Sequence, residues 1–174
     1  MPETLIIYSS TDGHTKTICL KILNSLNNPD LVKIISLEKA ETFDLSKYEK
    51  IIIGASIRYG KHNKKVYNFV KKNIDLFYQK KTAFFSVNAT ARKPEKNSPN
   101  TNPYVIKFLR DTNWKPNKVG VFAGKVDYPN YNFINKNVIR FIMMMTKGPI
   151  DTKNSYEFTN WDNVRKFALE LNNI

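Results

Sequence analysis

The chain has 174 residues, 41% of them hydrophobic and 13% aromatic, with one cysteine and a formal net charge of +13. That length gives one domain a proper core and is too short for two ordinary ones. The composition excludes disorder, and a lone cysteine excludes an internal disulfide framework and fits a reducing compartment. The charge is lopsided: through Lys50 there are six Lys against seven Asp/Glu, whereas the remainder carries 22 basic and eight acidic residues. Such a field attracts nucleic acid, an anionic membrane surface or a carboxylate-bearing substrate, or it simply solvates a lysine-rich surface.

The N-terminus runs directly into an apolar stretch, so no signal peptide is expected. No uncharged apolar run approaches the length that spans a bilayer. The opening run Leu5-Ile6-Ile7-Tyr8 breaks into Ser9-Ser10-Thr11-Asp12-Gly13-His14-Thr15 and then enters a helical pattern. A strand ending in a hydroxyl-rich loop with a helix start behind it suits a phosphate, because unpaired N–H groups and the helix dipole converge there. Ser9, Ser10, Thr11 and Thr15 add hydroxyl donors, and Gly13 permits close approach or a positive φ. The loop has no lysine, so it is no Walker-type P-loop, nor is it the G-x-G-x-x-G of dinucleotide folds. A capped turn without a ligand is the alternative.

Further apolar runs at Leu31–Leu37, Ile51–Ala55, Thr82–Val87 and Val119–Ala123 are short and nearly continuous, as in strands covered on both faces. Helical stripes lie between them: Ile18, Cys19, Ile22, Leu23 and Leu26, then Val66, Phe69, Val70 and Ile74, then Val105, Ile106, Phe108 and Leu109. A last stripe holds Val164, Phe167, Ala168 and Leu171, with Thr159 or Asn160 as N-cap. Strands alternating with helices predict a doubly wound parallel α/β sheet in one domain, residues 1–174. Cys19 reads as a buried small hydrophobe.

Ligands in such a sheet sit beyond the carboxyl ends of the strands. The loop Gly54-Ala55-Ser56-Ile57-Arg58-Tyr59-Gly60 offers a cation and an aromatic between two glycines, suited to the flank of a flat ring, unless Tyr59 merely covers the core edge. The loop from Asn88 to Ser98 is basic and too long for a plain turn, and brings Arg92, Lys93 and Lys96 toward the same mouth. An insert at about 124–155 follows. Its segment Ile134–Lys147 places Ile134, Val138, Phe141, Ile142 and Met145 on one side and Lys136, Arg140 and Lys147 on another. That pattern is a basic amphipathic helix for an anionic membrane or a partner, or an ordinary helix whose Met143 and Met144 fill gaps. His14 is expected to contribute its backbone and His62 to lie at the surface. No paired carboxylates, metal-ligand cluster or Ser-His-Asp set is evident.

Ser10-Thr11-Asp12-Gly13-His14-Thr15 resembles the flavodoxin phosphate loop, roughly (T/S)-x-T-G-x-T, with Asp12 replacing a hydroxyl residue. The segments IGASIRYG, FFSVNATARKPEKNSPNTNPY, WKP and VFAGKVDYPNY, the Met-rich insert and Thr159-Asn160-Trp161-Asp162 extend the likeness nearly end to end. They are similar to the flavodoxin-like protoporphyrinogen IX dehydrogenases (quinone) of bacterial haem synthesis. The resemblance implies a five-stranded sheet of order 2-1-3-4-5, with a long insert interrupting the fifth strand and its second half near Tyr156–Phe158. It implies FMN as cofactor, held by Ser9, Ser10, Thr11, Asp12, Gly13, His14 and Thr15, by Ser56, Ile57, Arg58, Tyr59 and Gly60, and by Ser86, Val87, Asn88, Ala89, Thr90, Ala91 and Arg92. It further implies protoporphyrinogen IX as substrate and a membrane quinone, menaquinone or ubiquinone, as acceptor, at the cytoplasmic face of the inner membrane. Arg58, Arg92 and Lys93 are the candidates for the substrate carboxylates; Lys136, Arg140, Lys147, Phe141 and Ile142 are the candidates for membrane contact. The flavin N5 would carry the chemistry, and no protein catalytic base stands out. A non-enzymatic electron-transfer flavodoxin is the main rival, which the basic charge disfavours. A nucleic-acid-binding module lacks a recognition helix or sheet aromatics and is not expected.

Overall fold

In the computed structural model, which describes residues 3–174, the apolar runs become five parallel strands. These are β1 (Thr4–Ser9), β2 (Val32–Ser36), β3 (Lys50–Arg58), β5 (Lys81–Val87) and β6 (Lys118–Phe122). A two-residue strand, β4 (Lys61–His62), folds back antiparallel onto the end of β3. The sheet order is β2-β1-β3-β5-β6, which is the expected order once β4 takes a number of its own.

Side chains of a strand alternate between faces, so a continuous apolar run fills two cores. Leu5 and Ile7 of β1 pack with Ile51 and Ile53 against the short α2 (Leu37–Ala40), α3 (Lys64–Lys72), α4 (Ile74–Tyr78) and α5 (Pro103–Thr112). Ile6, Ile52 and Phe85 pack on the other face against α1 (His14–Leu23) and α7 (Trp161–Leu171). Each fully buried Ile or Phe contributes about 1.5–3 kcal/mol of transfer free energy. Gly54 in β3 is set by contact, since a Cβ there would meet the Phe85 ring at 2.1 Å.

Helix starts follow the capping rules. Asn63, Asn102, Asn132 and Asn160 each accept a hydrogen bond from a first-turn N–H. Asn160 is thus the cap of α7, and Thr159 has another role. The stripe predicted through Ile74 is split, because Asn73 ends α3 and Ile74 begins α4. Leu26 lies past the end of α1 but still packs against the second core. Cys19 is buried, and its apolar surroundings push the thiol pKa up.

His62 departs from expectation. It is 2% exposed, enclosed by the rings of Tyr67, Phe84 and Phe108. The turn Tyr59-Gly60, with φ of 50° and 78°, reverses the chain in the manner of a two-residue hairpin and aims His62 inward.

The insert also differs in detail. After β6 the chain forms β7 (Lys125–Asp127), runs through α6 (Phe133–Met145), and returns as β8 (Ser155–Glu157). β8 pairs antiparallel with β7 in a separate two-stranded ladder and does not rejoin the main sheet. A small core of Val126, Tyr128 and Met143 holds this unit together.

Candidate functional site

The carboxyl ends of β1, β3 and β5 open into a cavity of about 840 Å³, counting its open mouth. Three predicted loops meet there. Ser10, Thr11, Asp12, His14 and Thr15 form one end, Ser56 to Gly60 a second wall, and Val87 to Thr90 a third. Of the predicted cofactor residues, Ser9, Gly13, Ser86, Ala91 and Arg92 do not line it.

The first end is built for an anion. Gly13 caps α1 with φ 84°, and its N–H donates to Ser10 Oγ at 2.9 Å. No acidic side chain occupies the first turn of α1, so the helix dipole is open to an anion. Thr15 is 1% exposed, yet its hydroxyl has no hydrogen-bond partner. A buried orphan hydroxyl costs about 1–3 kcal/mol, a cost that a phosphate oxygen bound at this helix start would offset. His14 contributes more than backbone. Thr159 Oγ1 donates to Ala123 O at 2.8 Å, so its remaining contact, His14 Nε2 at 2.7 Å, must donate to it. The Nε2–H tautomer follows, and burial lowers the His14 pKa.

Asp12 turns its carboxylate toward the Ser56–Gly60 loop. Arg58 Nη1 donates to both of its carboxylate oxygens at 3.0 Å. The guanidinium lies between two rings, 5.3 Å from the Tyr59 centroid and 5.4 Å from that of Tyr131. Tyr59 holds a left-handed backbone at φ 50°, and its hydroxyl donates to Asn135 of α6. Such a conformation costs a bulky residue of order 1 kcal/mol, and strain of this kind gathers at functional sites.

A buried polar chain backs the third wall. Asn88 accepts from Ala91 N–H at 2.9 Å and Asn102 Nδ2 at 3.1 Å, and donates to Ser86 Oγ at 3.1 Å. Ser86 Oγ in turn lies 2.9 Å from His62 Nε2. His62 thereby ties the hairpin to the loop across the cavity.

The three predicted carboxylate anchors separate. Arg58 reaches the cavity, already paired. Arg92 turns away, donating to Ala89 O and Thr146 O, both at 2.8 Å, and to Thr146 Oγ1 at 3.1 Å. It braces the C-terminal end of α6, whose last carbonyls lack helical partners. Lys93 is half-buried and does not line the cavity.

Sequence reasoning missed Tyr104, Lys125, Tyr131 and Ile139 as cavity residues; Ile142, expected on the membrane-facing stripe, lines the cavity with them, and Met143, expected as a gap-filler, does too. Lys125 follows the end of the fifth parallel strand, so the strand-end rule applied to the other loops points to it as well. The α6 side chains arrive only through tertiary packing. Met143 faces inward, whereas Phe133 is 81%, Ile134 72% and Met145 69% exposed. Phe141, Val138 and Met144 share that outer arc; Arg140 and Lys147 are exposed and Lys136 half-buried. Among the described residues no helix is long and apolar enough to cross a membrane.

Comparison with known proteins adds four findings. A family model described as the flavodoxin domain matches residues 5–153. A Leishmania major protein named protoporphyrinogen IX dehydrogenase (quinone) is 43% identical over 98% of this chain and 74% of its own length. An Escherichia coli K12 protein of the same name is 36% identical, with 97% and 94% covered. A solved archaeal flavodoxin superposes over 98% of this chain and 96% of its own with a TM-score of 0.54 at 15% identity, a likeness of fold alone.

Proposed function

The chain belongs to the flavodoxin-domain family of protoporphyrinogen IX dehydrogenases (quinone), and we propose that it oxidises protoporphyrinogen IX to protoporphyrin IX with FMN as cofactor and a membrane quinone as acceptor. One observation carries the cofactor assignment: the partnerless Thr15 hydroxyl at the start of α1, at one end of the cavity between the three loops. Bound there, FMN supplies the two-electron redox chemistry.

The protein's own residues position and shield. Ser10, Thr11 and Thr15 hold the phosphate, and Asp12 is kept from repelling it by Arg58. Ile57, Tyr59 and Asn88 to Thr90 flank the ring, held at their spacing by the His62–Ser86–Asn88 chain. Ile139, Ile142 and Met143 form an apolar wall that excludes water. Arg58 keeps its Nη1 pair with Asp12 and offers its remaining N–H groups to a substrate carboxylate, while Lys93 remains a more distant cation. Arg92 orders α6.

The exposed arc of α6 supports a second part of the reading. An apolar stripe bordered by Lys136, Arg140 and Lys147 suits a helix lying in the surface of an anionic membrane. It would hold the cavity at the lipid boundary, where a quinone is found, on the cytoplasmic face of the inner membrane.

The test is anaerobic incubation of the holoprotein with protoporphyrinogen IX and a quinone, reading porphyrin fluorescence. Bound FMN without porphyrin formation would replace this reading with that of an electron-carrier flavodoxin. Neutralising Lys136, Arg140 and Lys147 together should release the protein from anionic vesicles with flavin binding intact; unchanged vesicle binding removes α6 from the membrane role.

A further inference from the structure

We infer that Lys125 selects the phosphorylated flavin by supplying the positive charge that the phosphate loop lacks. The inference rests on the FMN reading and goes beyond it, because that loop otherwise holds its anion with neutral donors. A phosphate monoester carries close to two negative charges near neutral pH, against roughly half a positive charge at a helix start. Here the shortfall is larger than usual, since the loop itself contains Asp12.

Lys125 stands where the charge is needed. It lines the main cavity, and also a smaller hollow over the start of α1 formed with Asp12, Gly13, His14, Thr17 and Asp127. Its backbone is fixed by the β7–β8 ladder, opposite Glu157. Its ammonium rests 3.3 Å from Asp127 Oδ2. That carboxylate has other partners, accepting from Asn130 Nδ2 at 2.8 Å and from the Ser155 hydroxyl. Lys125 is therefore free to swing toward an anion at Thr15 without orphaning Asp127. Arg58, the other cation nearby, is committed to Asp12. The ionisable groups facing Lys125 are thus Asp12, His14, Asp127 and Glu157, of which none supplies a second mobile cation.

The experiment compares FMN with riboflavin, which differs by the phosphate alone, by fluorescence titration of the flavin-free full chain. Lys125→Met should weaken FMN about tenfold, leave riboflavin unchanged and flatten the salt dependence of FMN binding, while Lys125→Arg retains affinity. Equal losses for both flavins, or no loss for FMN, overturn the inference. Asp127→Asn gives an independent arm: removing the competing carboxylate should tighten FMN relative to riboflavin, and an unmoved ratio overturns the inference even if Lys125→Met fails to fold. A wild-type chain that binds neither flavin refutes the FMN reading itself, whereas one that binds FMN but ignores Lys125 refutes only this step.

Discussion

Acid should act on this fold through His62. Burial among three aromatic rings holds its pKa down at about 3, against an ordinary 6.5. The unfolded chain therefore takes up a proton that the folded chain refuses. Above the ordinary value the group is neutral in both states and has no effect. As pH falls below it, stability drops by about 1.4 kcal/mol per pH unit until the folded pKa is reached. At about pH 5 the loss from this one ring is roughly 2 kcal/mol, a sizeable fraction of a typical domain's stability. Urea unfolding of the full chain at several pH values measures it, with His62→Gln as the control. Gln keeps a polar group near Ser86 but binds no proton. The variant should start about 1 kcal/mol less stable at neutral pH, from imperfect packing, and then lose less than wild type on acidification. His14, whose pKa burial also lowers, is present in both proteins and cancels. Parallel pH profiles would refute the reasoning.

Gly54→Ala should cost about 1–3 kcal/mol, because the Phe85 ring already fills the space a Cβ would take; an unchanged melting temperature would mean that the ring moves aside freely. Thr15→Val should leave the flavin-free protein as stable or slightly more so, since it removes a partnerless hydroxyl. The same variant should bind FMN roughly tenfold more weakly with riboflavin unaffected, as calorimetry would show, and equal FMN affinity would move the phosphate elsewhere. Arg92→Met should cost about 1–3 kcal/mol by orphaning the carbonyls of Ala89 and Thr146. Hydrogen exchange should quicken in the last turn of α6, and an unchanged rate there would show that Arg92 braces nothing.

What the sequence made legible follows from local physics. Continuous apolar runs marked strands covered on both faces, and the break from Tyr8 into hydroxyl residues marked the first wall of the cavity. The 3.6-residue period of Ile134, Val138, Phe141 and Met145 marked an apolar arc that is exposed. The misses are non-local. His62 sits among Lys61, Asn63 and Lys64 in sequence, and rings brought together from α3, β5 and α5 bury it. The Tyr59-Gly60 turn was the available sign that the chain doubles back there. Arg92 looks like a member of a basic mouth beside Lys93, but the needs of a helix end fifty-four residues away claim it. Asp12 was anomalous within its loop and becomes intelligible only with Arg58 beside it.

The β7–β8 ladder has one more consequence. Asp127 and Ser155 are partners across it, so the chain departs from the domain and returns at a single point. A two-residue turn joining them would close the ladder as an ordinary hairpin. The sheet, the start of α1 and Lys125 would all remain, while Tyr131, Ile139, Ile142 and Met143 would vanish from the cavity wall. The cavity would then lie open to water on the side α6 now covers. The excursion is thus a separable part of the fold: it supplies one wall of the cavity without entering the main sheet or the start of α1.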